Sequence, residues 1–291
     1  PPHESYKIAD DNKSTMEACP NLGIDSPRIF SDTAAETYLG GGSTALLVVK
    51  PRKDIGAGRG VYYISSLNSF WVARKKVEAQ WGDYVIQEYI PGGTSNMRTV
   101  NLLFDRQSQL VAYFTTRKIR QWPNTGGISA LSISTLDTEL VAKVLPFFKK
   151  YGWKGLAEVE LKVDDRDQKA KLIEINPRVW GYFGFPICCG VNFPMIYCYA
   201  AMGRSLPHNG IGRYRVGLKY LNPFAYLKAA FEDLRGSADK WGWLPRLMGE
   251  LRGEKVGNYQ DFKDTRAIIA KILYEMMTGR ARGNHRRSRR L

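Results

Sequence analysis

Two short segments of this chain carry acidic, amide or basic side chains at every second position, and this alternation constrains the fold more than any other feature. The segments are GLAEVELKV, residues 155–163, and KLIEINPR, residues 171–178. Because successive side chains of a β-strand point to opposite faces, Glu158 and Glu160 share one face while apolar residues share the other. The pattern predicts a β-hairpin with one polar and one apolar face.

The polar loop DDRDQKA between the two segments indicates their register. A turn about Asp167 sets Glu160 opposite Glu174 and Glu158 opposite Asn176. A shift of one residue would set acids opposite isoleucines and mix the two faces, so we disfavour it. On the second strand, this register predicts one face with Leu172, Glu174, Asn176 and Arg178, and the other with Ile173 and Ile175.

Carboxylates that face each other across a strand pair need a positive charge between them, because their Cβ atoms lie only about 4.5–5.5 Å apart. Mg²⁺ prefers oxygen ligands and commonly takes one or two carboxylates together with phosphate oxygens. Glu160, Glu174 and Asn176 therefore form a candidate magnesium site, with Mn²⁺ as an alternative ion, and Arg178 can hold a phosphate. The competing interpretation is a surface hairpin whose acids pair with lysines such as Lys162.

Length and charge limit the class of protein. With 291 residues, of which 44% are hydrophobic, the chain can bury a large core and form two lobes. The net charge of +15 includes six arginines within residues 280–291, a basic tail that we predict to be disordered. We expect a solvated tail, with nucleic-acid binding through this tail as the alternative.

The cysteines and histidines are scattered rather than clustered. The four cysteines show neither metal-ligand spacing nor the density of a disulfide scaffold, so we expect reduced thiols in a cytoplasmic protein. The three histidines form no cluster either, and a metal would have to use oxygen ligands.

Residues 179–203 contain no charged side chain, which on hydropathy alone would allow a membrane span. Two prolines and Asn192 favour a different interpretation, a glycine-rich loop followed by a buried helix that begins after Asn192 and ends at Gly203. We therefore predict no membrane span. The chain begins PPHESY, with neither a methionine nor a signal-peptide pattern, and this favours a further segment upstream.

The hydrophobic pattern along the chain predicts an α+β fold. Helices are expected at 11–22, 66–80, 136–152, 192–203, 222–236 and 265–278, and strands at 45–51, 83–90, 99–105, 109–119, 155–163 and 171–177. We divide the chain into an N-terminal portion with the glycine-rich loop, a C-terminal lobe with the acidic hairpin, a helical extension and the basic tail, at 1–86, 87–210, 211–279 and 280–291.

A glycine-rich loop follows the predicted strand that ends near Lys50. Its sequence GAGRG, residues 56–60, offers backbone N–H groups without bulky side chains, an arrangement that can wrap phosphate oxygens. By itself the loop is weak evidence, because a hairpin that needs glycine for positive φ would look the same.

Five motifs in order resemble the ATP-grasp superfamily, and within it the carboxylate-amine ligase branch related to carbamoyl-phosphate synthetase. They are VVKP (48–51), GAGRGV (56–61), IQEYIPG (86–92), AEVELK (157–162) and LIEINPRVWG (172–181). The resemblance covers about residues 5–205, and EINPR after an acid-bearing strand is its specific part. It implies an ATP-grasp fold in which two α+β lobes hold ATP between them.

The resemblance also implies roles for individual residues. In nucleotide binding, Lys50 and Lys13 would contact phosphates, and the loop with Gly56, Gly58 and Gly60 would close as a lid. The hinge residues Gln87, Glu88 and Ile90 would contact adenine, and Ile173 would complete the nucleotide site. Glu160 and Glu174 would bind two magnesium ions, with Glu174 bridging them and Asn176 completing the second. Arg178 would hold the γ-phosphate or an acyl phosphate.

The chain departs from the family's pattern in three places. Many relatives carry an acid after the hinge to bind ribose, whereas PGGTSNMR offers only Thr94, Ser95 and Asn96. Relatives usually begin with an N-terminal domain that helps form the acceptor pocket, and we expect this domain to be missing from the given sequence. The segment after residue 210 matches nothing that we can interpret.

These features predict an ATP-dependent ligase that joins a carboxylate to an amine through an acyl phosphate, with small molecules as substrates. We expect the substrate acid at TTRKIRQWPNTGG, residues 115–127, where Arg117, Lys118 and Arg120 could receive an anion. We assign Arg117 to catalysis together with Lys50 and Arg178. A basic strand edge without function is the alternative for this segment. A catalytically inactive ATP-binding regulator and a nucleic-acid-binding protein are the competing functions, and the second lacks aromatic-basic platforms outside the tail.

Overall fold

Runs of β-branched and aromatic residues, separated by polar and glycine-rich turns, form two sheets in the computed structural model, which describes residues 1–41, 46–53, 55–56, 58–205, 211–236 and 242–257. The strands are β1 (Ile29–Phe30), β2 (Leu47–Pro51), β3 (Tyr62–Ile64), β4 (Tyr84–Glu88), β5 (Met97–Phe104), β6 (Leu110–Trp122), β7 (Ile128–Thr135), β8 (Gly155–Val163), β9 (Ala170–Asn176), β10 (Lys219–Leu221) and β11 (Lys255–Gly257). The helices are α1 (His3–Asp10), α2 (Asn12–Ala18), α3 (Asp32–Gly40), α4 (Leu67–Trp81), α5 (Thr138–Lys150), α6 (Gly184–Cys189), α7 (Phe193–Met202), α8 (Pro223–Gly236) and α9 (Trp243–Glu250).

The smaller sheet has four strands in the order β1-β4-β2-β3, all antiparallel. Strands β2 and β3 form the predicted hairpin around the glycine-rich loop, and Lys50 lies near the end of β2. One face of this sheet packs on α3 and α4 through a core that includes Leu47, Phe70 and Val77. The smaller sheet thus holds the glycine-rich loop on a rigid base.

The larger sheet has seven strands in the order β11-β10-β7-β6-β5-β8-β9. Its neighbouring strands are antiparallel except for β10 and β11, which are parallel. The face that we call the back face packs on α1, α2 and α5, with Val100, Val159 and Phe147 in the core. The opposite face, which we call the cavity face, packs on α6 and α7 around Phe114 and Trp180.

The first 24 residues contribute to the core of the larger sheet rather than to the smaller one, since Ala9, Met16 and Ile24 lie in the back-face core. The whole of β4 belongs to the smaller sheet, so the chain passes to the larger sheet after Glu88. The division at residues 86, 210 and 279 stays a prediction.

Helix α7 begins and ends where the sequence predicts. The Asn192 side chain accepts a hydrogen bond from the Met195 N–H (3.0 Å), and Gly203 ends the helix with φ +65°. The prediction that this helix is buried was wrong, because Tyr197 and Met202 are exposed. The preceding segment also contains helix α6, which we did not predict. No helix among the described residues is long and apolar enough to cross a membrane.

The segment after residue 210 was expected to be helical, and its described part contains strands as well. Helix α8 agrees with the prediction, but β10 and β11 extend the larger sheet next to β7. Helices α8 and α9 pack over β6 and β7 through Leu131, Tyr226 and Leu247. The predicted helix at 265–278 and the basic tail lie outside the described residues.

Strands β8 and β9 pair in the predicted register, with Glu160 opposite Glu174 and Glu158 opposite Asn176. The prediction failed one step further on, because Leu161 pairs with Leu172 and Ile173 is an extra residue in β9. This β-bulge reverses the alternation. Leu172 consequently lies in the back-face core, and Ile173 turns toward the cavity, the opposite of the predicted faces.

Candidate functional site

A cavity of about 620 Å³ lies between the smaller sheet, the glycine-rich loop and the cavity face of the larger sheet. This volume falls within the usual range for small-molecule and cofactor sites, about 300–1,000 Å³. Its charged lining residues are Lys50, Lys53, Arg59, Lys118, Glu158, Glu160, Lys162, Glu174 and Arg178. The strands that meet here are distant in sequence, and the sheet order brings their polar faces together.

The acidic floor of the cavity comes from the β8–β9 hairpin. Asn176 links two of its acids, since its Nδ2 donates to Glu174 Oε1 (3.2 Å) and to Glu158 Oε2 (3.4 Å). Arg178 Nη2 donates to Asn176 Oδ1 (3.0 Å), which continues the row. The acid, amide and base of the EINPR motif are therefore joined by hydrogen bonds along one line.

Lys118, on β6, reaches into this acidic floor. Its Nζ donates to Glu160 Oε2 (2.9 Å), and only 3% of the side chain is exposed. Burial alone would lower the pKa of Lys118, but the Glu160 carboxylate outweighs burial and raises it. Sequence reasoning named Lys118 only as one of three cations that could bind an acid, and no local signal indicated its pairing across the sheet.

Glu158 lies deepest in the floor, and sequence reasoning did not assign it a role. Burial, and then the neighbouring Glu160 carboxylate, raise the pKa of Glu158 to about 8. The Tyr182 hydroxyl is buried nearby, and burial followed by the charge of Glu158 raises its pKa too. The hydroxyls of Thr99 and Thr116 lie close to Tyr182 and oppose that shift, although none of the three makes a direct hydrogen bond of normal geometry.

The phosphate lysine and the bulge in β9 are in contact. Lys50 is buried, and its Nζ donates to the carbonyl oxygen of Ile173 (3.2 Å). The bulge places that carbonyl at the cavity, which no alternation rule predicts. The β2–β4 pairing sets Lys50 beside Val85, next to the hinge.

Of the predicted hinge residues, Gln87 and Ile90 line the cavity, whereas Glu88 does not. The Glu88 N–H donates to the Arg28 carbonyl (2.8 Å), and its carboxylate pairs with Arg166. The Gln87 side-chain oxygen is buried and has no hydrogen-bond partner among the described residues, so it can accept a bond from a ligand.

The predicted lid glycines Gly56 and Gly58 line the cavity, and Gly60 lies behind it against Pro51 and Trp81. All three have positive φ, a conformation that glycine adopts at little cost. In the segment after the hinge, Thr94 lines the cavity, whereas Asn96 donates to the Val163 carbonyl (2.8 Å). The glycine-rich loop therefore faces the cavity as predicted, and one of the proposed ribose contacts is directed elsewhere.

The glycine-rich loop meets a second loop, residues 123–127, which we call the closing loop. The Tyr63 hydroxyl donates to the Thr125 carbonyl, and a Cβ atom on Gly58 would lie 2.5 Å from the Gly126 carbonyl oxygen. Lys118 Nζ donates to the Gly127 carbonyl (3.3 Å), so the closing loop also contacts the acidic floor.

Two predicted site residues lie outside the cavity. Lys13 is exposed on α2 beside Glu17 (4.0 Å), and its neighbour Asn12 lines the cavity instead. Arg117 precedes Lys118 on β6 and is absent from the cavity lining, because adjacent residues of a strand point to opposite faces. It lies opposite Arg98 on β5.

Arg120 does not line the cavity either. Its Nε and Nη2 donate to the two carboxylate oxygens of Glu250 (both 2.9 Å), and its Nη1 pairs with Asp233. Asp233 also accepts a hydrogen bond from the Asn124 side chain of the closing loop. The basic segment 115–122 thus sends its three cations to three different surroundings, and an acid receptor made of Arg117 and Arg120 is excluded.

The donor set fits magnesium only together with a phosphate ligand. Among the described residues, no group of three or more His, Cys, Asp or Glu side chains is arranged to hold a metal ion on its own. Glu160 and Glu174 are cross-strand partners with the Asn176 amide beside them, and Mg²⁺ usually takes one or two carboxylates plus phosphate oxygens. The chemistry of the site agrees with a metal that arrives with a nucleotide.

The comparisons with known proteins agree with this architecture. No protein-family model matches the chain. Over 98 residues, 33% of this chain, it is 29% identical to a D-aspartate ligase of Enterococcus faecium, of which it covers 23%.

Among solved structures, it is similar to the biotin carboxylase domain of Hydrogenobacter thermophilus 2-oxoglutarate carboxylase, in complex with MgADP, ADP and bicarbonate (15% identity, TM-score 0.60). It is similar to Campylobacter jejuni biotin carboxylase in complex with β-γ-ATP (17%, 0.60), and the match covers 74% of this chain and 50% of the other for both enzymes. The structure of Staphylococcus aureus N5-carboxyaminoimidazole synthetase with ADP is also similar, with 16% identity and a TM-score of 0.57. The match covers 72% of this chain and 55% of the other.

Proposed function

We propose that this chain, whose fold is that of the ATP-grasp ligases, carries an ATP-dependent ligase activity that joins a carboxylate to an amine. One observation carries the proposal: Lys50, Glu160, Glu174, Asn176 and Arg178 line a single cavity beneath a glycine-rich loop. No simpler role explains a row of carboxylate, amide and guanidinium groups that faces a phosphate-wrapping loop.

The nucleotide would lie with its adenine against the hinge. The partnerless oxygen of Gln87 is a suitable acceptor for a donor of the base, and Ile90 adds an apolar contact. Lys50 lines the cavity, and its Nζ, which donates to the Ile173 carbonyl in this structure, would turn to the phosphates. The backbone of Gly56 and Gly58 would close over the phosphate chain.

Magnesium would bind to Glu160 and Glu174, with Asn176 beside them. When bound, it would neutralise the charge of the phosphates and orient them for in-line attack. Two ions, with Glu174 bridging them, are the arrangement that the resemblance implies, and Mn²⁺ is the alternative ion. Carboxylate and amide oxygens are ligands that Mg²⁺ accepts.

The reaction has two steps. A carboxylate oxygen of the substrate attacks the γ-phosphorus, the bond to the bridging oxygen breaks, and ADP leaves with the electron pair. The amine nitrogen then attacks the acyl carbon, the phosphate leaves with the electron pair of the carbon–oxygen bond, and the nitrogen loses a proton. Arg178 would hold the equatorial oxygens of the transferred group, so the protein contributes positioning and electrostatics.

The substrates are proposed only as classes, a small carboxylate and an amine. The D-aspartate ligase relative makes the two enantiomers of aspartate the first acids to test. We also propose a cytoplasmic location, since Cys19, Cys188, Cys189 and Cys198 are all free thiols. A further N-terminal domain that completes the acceptor site stays part of the proposal.

The test is acid-dependent ADP release with hydroxylamine present, which captures an acyl phosphate as a hydroxamate. We expect hydroxamate to form in step with ADP, and Glu174→Gln to lower both rates by about 10³-fold or more because the metal loses a charged ligand. Glu17→Gln, at an exposed acid of α2, is the matched control and should change neither rate.

Tight Mg-ATP binding without hydroxamate from a broad acid panel, and without any effect of Glu174→Gln on ADP release, would reject the ligase proposal. The inactive ATP-binding regulator would then replace it. No observation on the described residues favours nucleic-acid binding, and the basic tail lies outside them.

A further inference from the structure

Lys118 is an ammonium group buried within the acidic floor of the cavity. Its Nζ lies 2.9 Å from Glu160 Oε2 and 3.3 Å from the carbonyl oxygen of Gly127. The carboxylates of Glu158 and Glu174 are also close enough to stabilise its charge. A lysine rarely lies so deep unless a partner compensates for the lost hydration.

Other cations of the cavity make contacts of their own, and the charge of Arg178 also acts on Glu158. Lys50 donates to the Ile173 carbonyl, Arg178 contacts Asn176 and Val179, and Lys162 lies over the Tyr89 ring with its Nζ 4.9 Å from the centroid. The carboxylates of Glu160 and Glu174, which lie opposite each other on β8 and β9, repel one another unless a cation lies beside them. Lys118 is therefore placed to compensate the floor while no metal is bound.

We propose that Lys118 is a positioning residue, the built-in counter-cation that holds Glu160 in place until a divalent cation replaces it. The inference rests on the proposed magnesium site and adds a residue to it. A divalent ion on Glu160 repels the ammonium group, and the Gly127 carbonyl remains as an acceptor for it. The exchange needs only a shift of the Lys118 side chain.

This arrangement connects metal binding to the closing loop. Gly127 belongs to that loop, Thr125 accepts a hydrogen bond from Tyr63, and Gly126 lies against Gly58 of the glycine-rich loop. A Lys118 that leaves Glu160 pulls on the segment that contacts the lid. Metal binding would thus change the contacts between the closing loop and the glycine-rich loop, which covers the phosphates.

The first measurement is divalent-cation affinity without nucleotide, with Mn²⁺ as the probe and its free-ion electron paramagnetic resonance signal as the readout. Lys118→Met should bind Mn²⁺ about tenfold or more tightly, because it removes a competing positive charge next to Glu160. Lys162→Met removes a cavity lysine that does not contact the carboxylates, and we expect a change of less than about threefold.

The second measurement is the melting temperature. Metal-free Lys118→Met should melt lower by about 5–15 °C, because it leaves the Glu160 carboxylate buried without its partner. Saturating Mn²⁺ should raise the melting temperature of this variant by more than it raises that of the wild type. If the variant does not fold without metal, the double variant Lys118→Met/Glu160→Gln should, since it removes both charges.

The third measurement separates positioning from simple structural support. Mn²⁺ should change amide hydrogen exchange in residues 124–127 of the wild type, and this response should be lost in Lys118→Met while Lys162→Met keeps it. A loop response that is the same in all three proteins overturns the inference. The inference is also overturned if neither lysine variant binds Mn²⁺ more tightly than the wild type, or if the Mn²⁺ affinity of both variants changes equally.

These failures differ from a failure of the proposed function. If the wild type binds Mn²⁺ and Glu174→Gln abolishes that binding, the metal site stands even when Lys118→Met behaves like Lys162→Met. If the wild type binds no divalent cation, with or without ADP, both the magnesium site and the role of Lys118 are rejected.

Discussion

The β8–β9 hairpin and strand β6 both carry alternating charges, yet they use them in different ways. The hairpin gathers Glu158, Glu160, Glu174 and Asn176 on one face, as its sequence predicts. Strand β6 distributes Arg117, Lys118 and Arg120 to the opposite face, to the acidic floor and to α8 and α9. Within the hairpin, Glu158 and Glu174 bond to Asn176, which is close in sequence. Lys118 and Arg120 of β6 instead meet acids that are 42 to 130 residues away.

Bulges account for part of this difference. The pairing of β6 with β7 shifts between Lys118 and Arg120 and again before Gln121. Each shift changes which face the following side chain occupies. In the hairpin one bulge follows Glu160, and it places both Leu172 and Ala170 in the back-face core. A local pattern is therefore a reliable guide up to the first bulge and a poor one beyond it.

The largest expected change in the free energy of unfolding tests the bulge at Ile173 in β9. Leu172 is fully buried in the back-face core, so Leu172→Ala should lower the free energy of unfolding by about 2–5 kcal/mol. Ile173→Ala, at the neighbouring partly exposed position, should cost less than about 1.5 kcal/mol. Urea denaturation of the two variants would give the opposite order if β9 kept regular alternation.

Strand β6 provides the next test. Arg120→Met leaves the carboxylates of Glu250 and Asp233 without their cation, and should lower the free energy of unfolding by about 2–4 kcal/mol. Arg117→Met, three residues earlier and not part of the ion pairs with Glu250 and Asp233, is the matched control and should change it by less than about 0.5 kcal/mol. Equal costs in thermal or urea unfolding would mean that the two arginines are not used differently.

The smallest effect is a pH dependence of the hairpin's acids. The pKa of Glu158 is about 8 in the folded protein and 4.5 as the unperturbed value, so the folded state holds the proton more tightly. Its contribution to stability is present below pH 4.5 and is lost as pH rises through 8. The unfolding free energy of the metal-free protein should therefore fall as pH rises between these limits.

The Glu158→Gln side chain has no proton to release. This variant should therefore lose most of the pH dependence of the unfolding free energy, measured by urea denaturation across the same pH range. Asp167→Asn, in the exposed loop of the same hairpin, is the control that should leave the slope in place. A wild-type slope that persists in Glu158→Gln would assign the pH dependence to another group.

The sequence by itself determined the hairpin, its register at the acids and the α+β arrangement of helices and strands, because each depends on contacts between residues close in the chain. The glycine-rich loop between β2 and β3 and the caps of α7 at Asn192 and Gly203 belong to the same class. Alternation, capping and turn chemistry are local, so the residues that decide them stand side by side.

Only the tertiary structure decided which distant charges meet. Lys118 finds Glu160 because β6 and β8 both lie next to β5, and Arg120 finds Glu250 because α9 returns over β6. The same packing moved Arg117 and Lys13 away from the cavity and brought Asn12 and Tyr220 to it. Pair energies between charges depend on distance and burial, and neither quantity is set until the sheets have assembled.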